Sequence, residues 1–313
     1  MVTVNLQRAI DVFKCVKDGD IEELRSLQKR GLVRGYTRYR GVRGEGTPLL
    51  ECITDSAMTR RWGNSSIAGN RRWSNSGNMR RRWGDRGVLE AATILLKNGA
   101  RISSIIKNYP QRTALEIAAE YGDGPLIDLL VAWGHDVEAS VNVFRQSPLF
   151  YAHTVEVARH LVQNGANVSA RDINGNTPMH VICAAKPSHR DDSGILYYLL
   201  TCGARVDELN YNGDTPLNLA IQRKNVNAVR FLLENGADVF RRNGGGVTPL
   251  EDASHNPDSL VIPILRTEIE RIRVEMMNKI EAFVMGLHPR LGERSLVRLL
   301  DDEVVRMIRD QDL

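Results

Sequence analysis

Arg60-Arg61-Trp62, Arg71-Arg72-Trp73 and Arg81-Arg82-Trp83 recur at spacings of 11 and 10 residues, with Gly, Ser and Asn between them. Arginine offers a paired-donor fork that matches phosphate and carboxylate. Tryptophan stacks on a base or rests at a polar–apolar boundary. The pattern therefore suits an anionic partner, either nucleic acid or an acidic protein. It equally suits a solvated loop grown by duplication of a short segment. Arg34, Arg38, Arg40 and Arg43 interleave with Tyr36 and Tyr39 and would extend the same patch if the fold brought the two stretches together.

The other reactive side chains do not assemble into local chemistry. His153 and His160 are seven residues apart, without a nearby cysteine to complete a zinc set. His189-Arg190-Asp191-Asp192 falls in a polar linker, and Glu22-Glu23 and Asp301-Asp302 read as acids at helix starts. The chain holds no HExxH, P-loop, GxSxG or dinucleotide fingerprint. No cofactor or metal is expected, and the chain is not expected to be an enzyme. Cys15, Cys52, Cys183 and Cys202 are widely spaced and form no CxxC. They read as reduced thiols in a cytoplasmic or nuclear protein.

Charge is segregated along the chain. The formal net charge is +4, yet residues 59–87 carry eight arginines against one acid, and residues 29–43 carry six basic residues and no acid. The remainder is strongly acidic, so an anionic partner would meet those two stretches first. No apolar run approaches the ~18 residues a membrane helix needs. The first residues lack the basic flank and apolar stretch of a signal peptide.

The elements that must position these residues are helix pairs repeated along the chain. Asn176–Val206 is the reference unit: a short helix opening on Thr177-Pro178, a second helix carrying Leu199-Leu200, and a Gly203-Ala204 turn. Equivalent Thr or Ser residues stand at 113, 147, 177, 215 and 248, with spacings of 34, 30, 38 and 33. Turn glycines at 99, 134, 165, 203 and 236 keep spacings of 35, 31, 38 and 33. Two independent markers thus keep nearly the same beat. Thr caps a helix whose first turn accepts Pro. Ala118, Ala119, Ala184 and Ala220 let paired helices approach. The leucine pairs Leu95-Leu96, Leu129-Leu130, Leu199-Leu200 and Leu232-Leu233 are expected to fill the core between units.

Thr-Pro-Met-His at 177–180 and Thr-Pro-Leu at 215–217 and 248–250, with the Gly-Ala turns, resemble the ankyrin repeat. The resemblance covers roughly residues 8–265, is most specific from 113 to 252, and departs from the pattern at Ala114 and at the 59–87 insertion. It implies an all-α ankyrin-repeat solenoid of about seven helix-turn-helix units with a helical C-terminal extension at 266–313. It also implies that His180 is structural, its ring bonding backbone between units. The second unit is expected to open at Thr47-Pro48, carry the insertion as a loop, and resume as a helix over Val88–Lys97. The fourth unit is short between its helices, and the fifth is lengthened by 186–193.

Ile269, Ile272, Met276, Ile280 and Phe283 form a stripe that would cover the last repeat or dock in a partner's groove. Residues 289–305 resemble the tails of ankyrin proteins from large DNA viruses and some microbial eukaryotes. Leu300–Ile308 faintly resembles the start of an F-box-like motif, with Asp301 in place of proline.

These features lead to a noncatalytic, monomeric scaffold that binds a protein partner through its concave face and loops. The residues expected to be exposed for contact are Arg171, Asp172, Asn174, Tyr211, Asn212, Arg241, Arg242 and Asn243. The alternatives are an adaptor recruiting a ubiquitin-ligase component through its tail, and a nucleic-acid accessory protein using the Arg/Trp insertion.

Overall fold

Local caps decide where each helix starts. In the computed structural model, which describes residues 11–12, 14–16, 19–33, 53, 80–100, 105–106, 112–185, 193–255 and 260–287, residues 11–12 and 14–16 are helical. They are followed by α1 (Ile21–Lys29), α2 (Arg80–Lys97), a two-residue ladder of β1 (Ile105–Ile106) with β2 (Arg112–Thr113), α3 (Ala114–Tyr121) and α4 (Gly124–Ala132). A 3-10 turn (Pro148–Tyr151) precedes α5 (Val155–Gln163), α6 (Pro178–Cys183), α7 (Ser193–Thr201), α8 (Pro216–Gln222), α9 (Val226–Glu234), α10 (Pro249–Ser254) and α11 (Val261–Leu287).

Thr113, Thr215 and Thr248 accept the N–H of the third helical residue at 3.1, 3.3 and 3.3 Å. That residue returns the bond: Glu116, Asn218 and Glu251 accept the threonine N–H at 2.6, 2.9 and 2.7 Å. The second helices are capped by a different set, Asp20, Asp123, Thr154 and Asn225. They end at Gly99, Gly134, Gly165, Gly203 and Gly236, all in the left-handed region.

The helices form two layers. The first holds α3, the 3-10 turn, α6, α8 and α10, each packed on the next; the second holds α2, α4, α5, α7, α9 and α11. Leu95, Leu130, Leu161, Leu199, Leu232 and Leu265 hold one position of successive second-layer helices and are all fully buried. Leu115, Leu149, Met179 and Leu217 do the same in the first layer. The apolar residues join into one continuous cluster, as stacking requires. Of the leucine pairs expected in the core, one member is always fully buried, while Leu129 and Leu200 are only half-buried. The pair in α4 is shifted by one residue, so its second leucine takes the core position.

Three elements differ in extent from the sequence expectation. Helix α2 begins at Arg80 rather than Val88, so Arg81, Arg82 and Trp83 are helical and not part of a loop. Arginine is a good helix former, and the run Arg80-Arg81-Arg82 outweighs the glycines at 84 and 87. Helix α11 runs unbroken through residue 265, and Ile269 and Ile272 pack partly against the core. The first helix of the short fourth unit is a single 3-10 turn.

Candidate functional site

Between Asn142 and Val247 the described chain makes four tight fingers, one between each pair of consecutive units, and each is built on one Asn or Asp. Asn142 Oδ1 accepts the N–H groups of Phe144 and Gln146 at 3.0 and 3.1 Å. Asp172 Oδ1 accepts those of Asn174 and Asn176 at 2.8 and 2.9 Å. Asn210 accepts from Asn212 and Asp214, both at 2.9 Å, and Asn243 from Gly245 and Val247 at 3.0 and 3.1 Å. A side-chain oxygen reaching two and four residues ahead closes the loop that its sequence starts. The last three fingers are also closed at the base by Asp172, Asn210 and Asn243 N–H donating to the carbonyls of Asn176, Asp214 and Val247, each at 3.0 Å.

The fingers bond to one another. Ile173 N–H donates to the Phe144 carbonyl at 2.9 Å, Tyr211 N–H to that of Asn174 at 3.0 Å, and Gly244 N–H to that of Asn212 at 3.1 Å. Side chains add cross-links: Gln146 Nε2 donates to Asp172 Oδ2 at 3.1 Å, and Asn210 Nδ2 to Asn176 Oδ1 at 2.9 Å. Asn142 Nδ2 donates to Glu116 Oε1 at 2.8 Å. Burial pushes the Glu116 carboxyl up, partly offset by the Thr113 N–H and Asn142 bonds. The result is a row of loops fixed relative to one another and to the helices behind them.

Six of the eight residues expected at the contact surface are exposed: Arg171, Asn174, Tyr211, Asn212, Arg241 and Arg242. Asp172 is not. It is 4% exposed, because its carboxylate is consumed by the finger's own N–H groups and by Gln146. Asn243 is half-buried for the same reason. Arg171 is partly committed to structure, donating to the Gly175 and Leu209 carbonyls at 2.9 and 2.7 Å and pairing with Glu208. Arg242 donates to the Gly246 carbonyl at 2.6 Å and faces Glu251 at 3.4 Å.

The structure adds residues that the sequence pattern did not single out. Val143, Phe144, Ile173 and Phe240 are exposed apolar groups in or beside the fingers. For Val143 and Ile173 the signal was their position immediately after a finger's Asn or Asp. It was obscured in the first of these fingers because Arg145 stands where the others have glycine.

Among the described residues no group of three or more His, Cys, Asp or Glu is placed to hold a metal ion. No described helix is long and apolar enough to cross a membrane. Arg60, Arg61, Trp62, Arg71, Arg72 and Trp73, and the tail at 288–313 on which the adaptor reading rests, lie outside the described residues.

Paired helices, left-handed turn glycines and bonded fingers define a stacked-repeat solenoid. A family model for ankyrin repeats (3 copies) matches residues 149–243 and 181–270. The human ASB11 ankyrin repeat domain superposes with a TM-score of 0.58 over 82% of this chain and 96% of that one, at 22% identity. The chain carries ankyrin repeats, and its fold is the ankyrin-repeat solenoid. Ankyrin repeat protein OPG189 of Variola virus is 31% identical over 115 residues, 37% of this chain and 20% of that protein. Human palmitoyltransferase ZDHHC13 is 38% identical over 101 residues, 32% of this chain and 16% of that one. The chain thus spans a fifth or less of these relatives' length.

Proposed function

We propose that this protein is a noncatalytic scaffold that recognises a protein partner through its finger row and the first-layer helices beside it. Ankyrin repeats generally mediate protein–protein interaction. The observation that supports the reading here is the finger-to-finger bonding that holds the Tyr211 backbone. Its N–H is spent on Asn174, while its side chain is 70% exposed. A large aromatic held on a fixed backbone and left in solvent contributes nothing to the core. It offers a partner contact area whose ordering has already been met in folding.

The test is capture from native cells. Tyr211, Asn212 and Arg241 are replaced together by alanine, and crosslinked proteins are identified by mass spectrometry after nuclease treatment. Loss of a recurrent protein partner, with an unchanged melting profile, supports the reading. Retention of every partner by the folded variant rejects the finger row as the binding surface.

A further inference from the structure

We propose that the finger row takes one kind of occupant: an extended peptide segment with an apolar middle and acidic ends, laid across the fingertips between Arg145 and Arg241. This deepens the scaffold reading and rests on it.

Val143, Ile173 and Tyr211 occupy the same place in three successive fingers, one residue after Asn142, Asp172 and Asn210. They are 66%, 45% and 70% exposed. Large apolar side chains repeated in register and left in water mark a contact surface. The fourth finger has Gly244 there. A Cβ at that position would fall 2.1 Å from the Asn212 carbonyl oxygen, so the column ends where the backbones close up.

Charge defines the two ends. The fingers' own carboxylates, Asp172 and Asp214, are buried, and each lies within its finger's hydrogen-bond network. Arg171 and Arg242 are paired with Glu208 and Glu251. Arg145 and Arg241 are exposed and close no ion pair among the described residues, although Arg241 is near enough to lower the Asp207 carboxyl against its burial. The column is therefore bounded by one cation at each end, a match for acidic residues flanking an apolar stretch.

Arg145 carries the strongest signal. Its φ is +54°, and the equivalent residues Gly175, Gly213 and Gly246 have +74°, +75° and +77°. The turn requires the left-handed region, three fingers meet it with glycine, and the first meets it with arginine. Strain held at an exposed residue that gives the fold no ion pair points to a role outside the fold.

Dimensions favour a peptide. Each finger turns the chain back on itself, and two chain segments at the usual separation of about 4.8 Å set successive tips about 10 Å apart, close to three residues of an extended chain. The occupant should then carry apolar residues about three positions apart. Tyr211 is the one aromatic in the column, and Val143 and Ile173 offer no stacking plane, so the column favours successive apolar side chains over successive stacked bases.

The experiment is a display selection of random twelve-residue peptides on the full chain, followed by fluorescence anisotropy of the leading peptide. The expected peptides have apolar residues about three apart with Asp or Glu outside them. Ile173→Ser with Tyr211→Ser should weaken binding at least ~10-fold. Arg145→Gly should weaken it about 3- to 10-fold, with the deficit shrinking as salt rises. Selection of basic peptides, failure to enrich any family, or binding unchanged in variants that melt as the parent does would overturn the proposal. So would a random single-stranded oligonucleotide binding more tightly through Arg145. If native-cell capture still depends on the fingers while no peptide binds, the peptide inference falls and the scaffold reading stands.

Discussion

His180 Nε2 lies 3.1 Å from the carbonyl oxygen of Asp214, one unit further along the chain. Its other ring nitrogen, Nδ1, accepts the Thr177 N–H at 3.2 Å and faces Thr177 Oγ1 at 2.8 Å. These partners place the ring proton on Nε2 and keep the imidazole neutral. One side chain thereby caps its own helix and ties two units together, the structural role that the ankyrin resemblance implied for it.

Acid should loosen this joint. Burial holds the His180 ring below the ordinary 6.5, and it does the same for His135. A folded value below the unfolded one means that the neutral ring stabilises the fold above about pH 6.5, and that this contribution is lost as pH falls below it. Glu116, Glu138, Asp207 and Asp214 act in the opposite direction, since burial raises each carboxyl and its contribution fades as pH rises. Urea denaturation at pH 7.5 and 5.5, compared between parent and variant, isolates the part that His180 contributes, which should favour the higher pH. His180→Asn, the residue found at the equivalent Asn218, should lose that part; an equal difference between the two pH values would remove His180 as the cause.

Gly124 opens α4 against the next unit. A Cβ there would lie 2.4 Å from His160 Cδ2, and the ring is held by Asp128 Oδ2, 2.9 Å from Nδ1. Alanine's better helix propensity is worth up to about 1 kcal/mol, but the clash outweighs it. Gly124→Ala should cost about 1–3 kcal/mol. Adding His160→Ala should recover part of that loss, a non-additivity that a double-mutant cycle measures directly.

Asn210 is the base of the third described finger, and no apolar replacement can do its work. Asn210→Ala leaves the Asn212 and Asp214 N–H groups without their acceptor and removes the 2.9 Å bond to Asn176. The expected loss is about 2 kcal/mol or more. Asn210→Asp combined with Asp214→Asn should cost less, because it reproduces the Asp172 and Asn176 arrangement one finger earlier, whereas Asn210→Asp alone would face the Asp214 carboxylate. Equal losses from the alanine and the double variant, read from denaturation midpoints, would contradict the acceptor role.

Arg145→Gly should separate stability from binding. Relief of the left-handed arginine favours the fold by about 1 kcal/mol, reduced by the extra freedom glycine has when unfolded. The variant should melt no lower than the parent while binding the selected peptide less tightly. A lower melting temperature would mean that Arg145 serves the fold.

The helix pairs were legible in the sequence because their markers are local. Thr177 and Pro178 announce a helix start, and Gly203 announces an end. Asp172 was misread because a charged residue in a loop resembles a surface group; the following Ile-Asn-Gly-Asn is the cue that its oxygen is required by the backbone two and four residues on. The column Val143–Ile173–Tyr211 was missed because it exists only across units, and Arg145 hid the finger that begins it. The start of α2 at Arg80 was missed because Gly84 and Gly87 suggest a loop, whereas helix formation sums over the whole segment.

A protein partner read by the fingers leaves the second-layer helices untouched. Two variants carry a photocrosslinking residue, one at Tyr211 on a fingertip and one at Tyr197 on α7, positions that are 70% and 60% exposed. Irradiation in native cells, followed by mass spectrometry, should yield a recurrent protein through position 211 that is absent through 197 and is competed by excess unmodified chain. The same proteins captured through both positions, or capture through 197 alone, would show that the fingers are not the recognition surface.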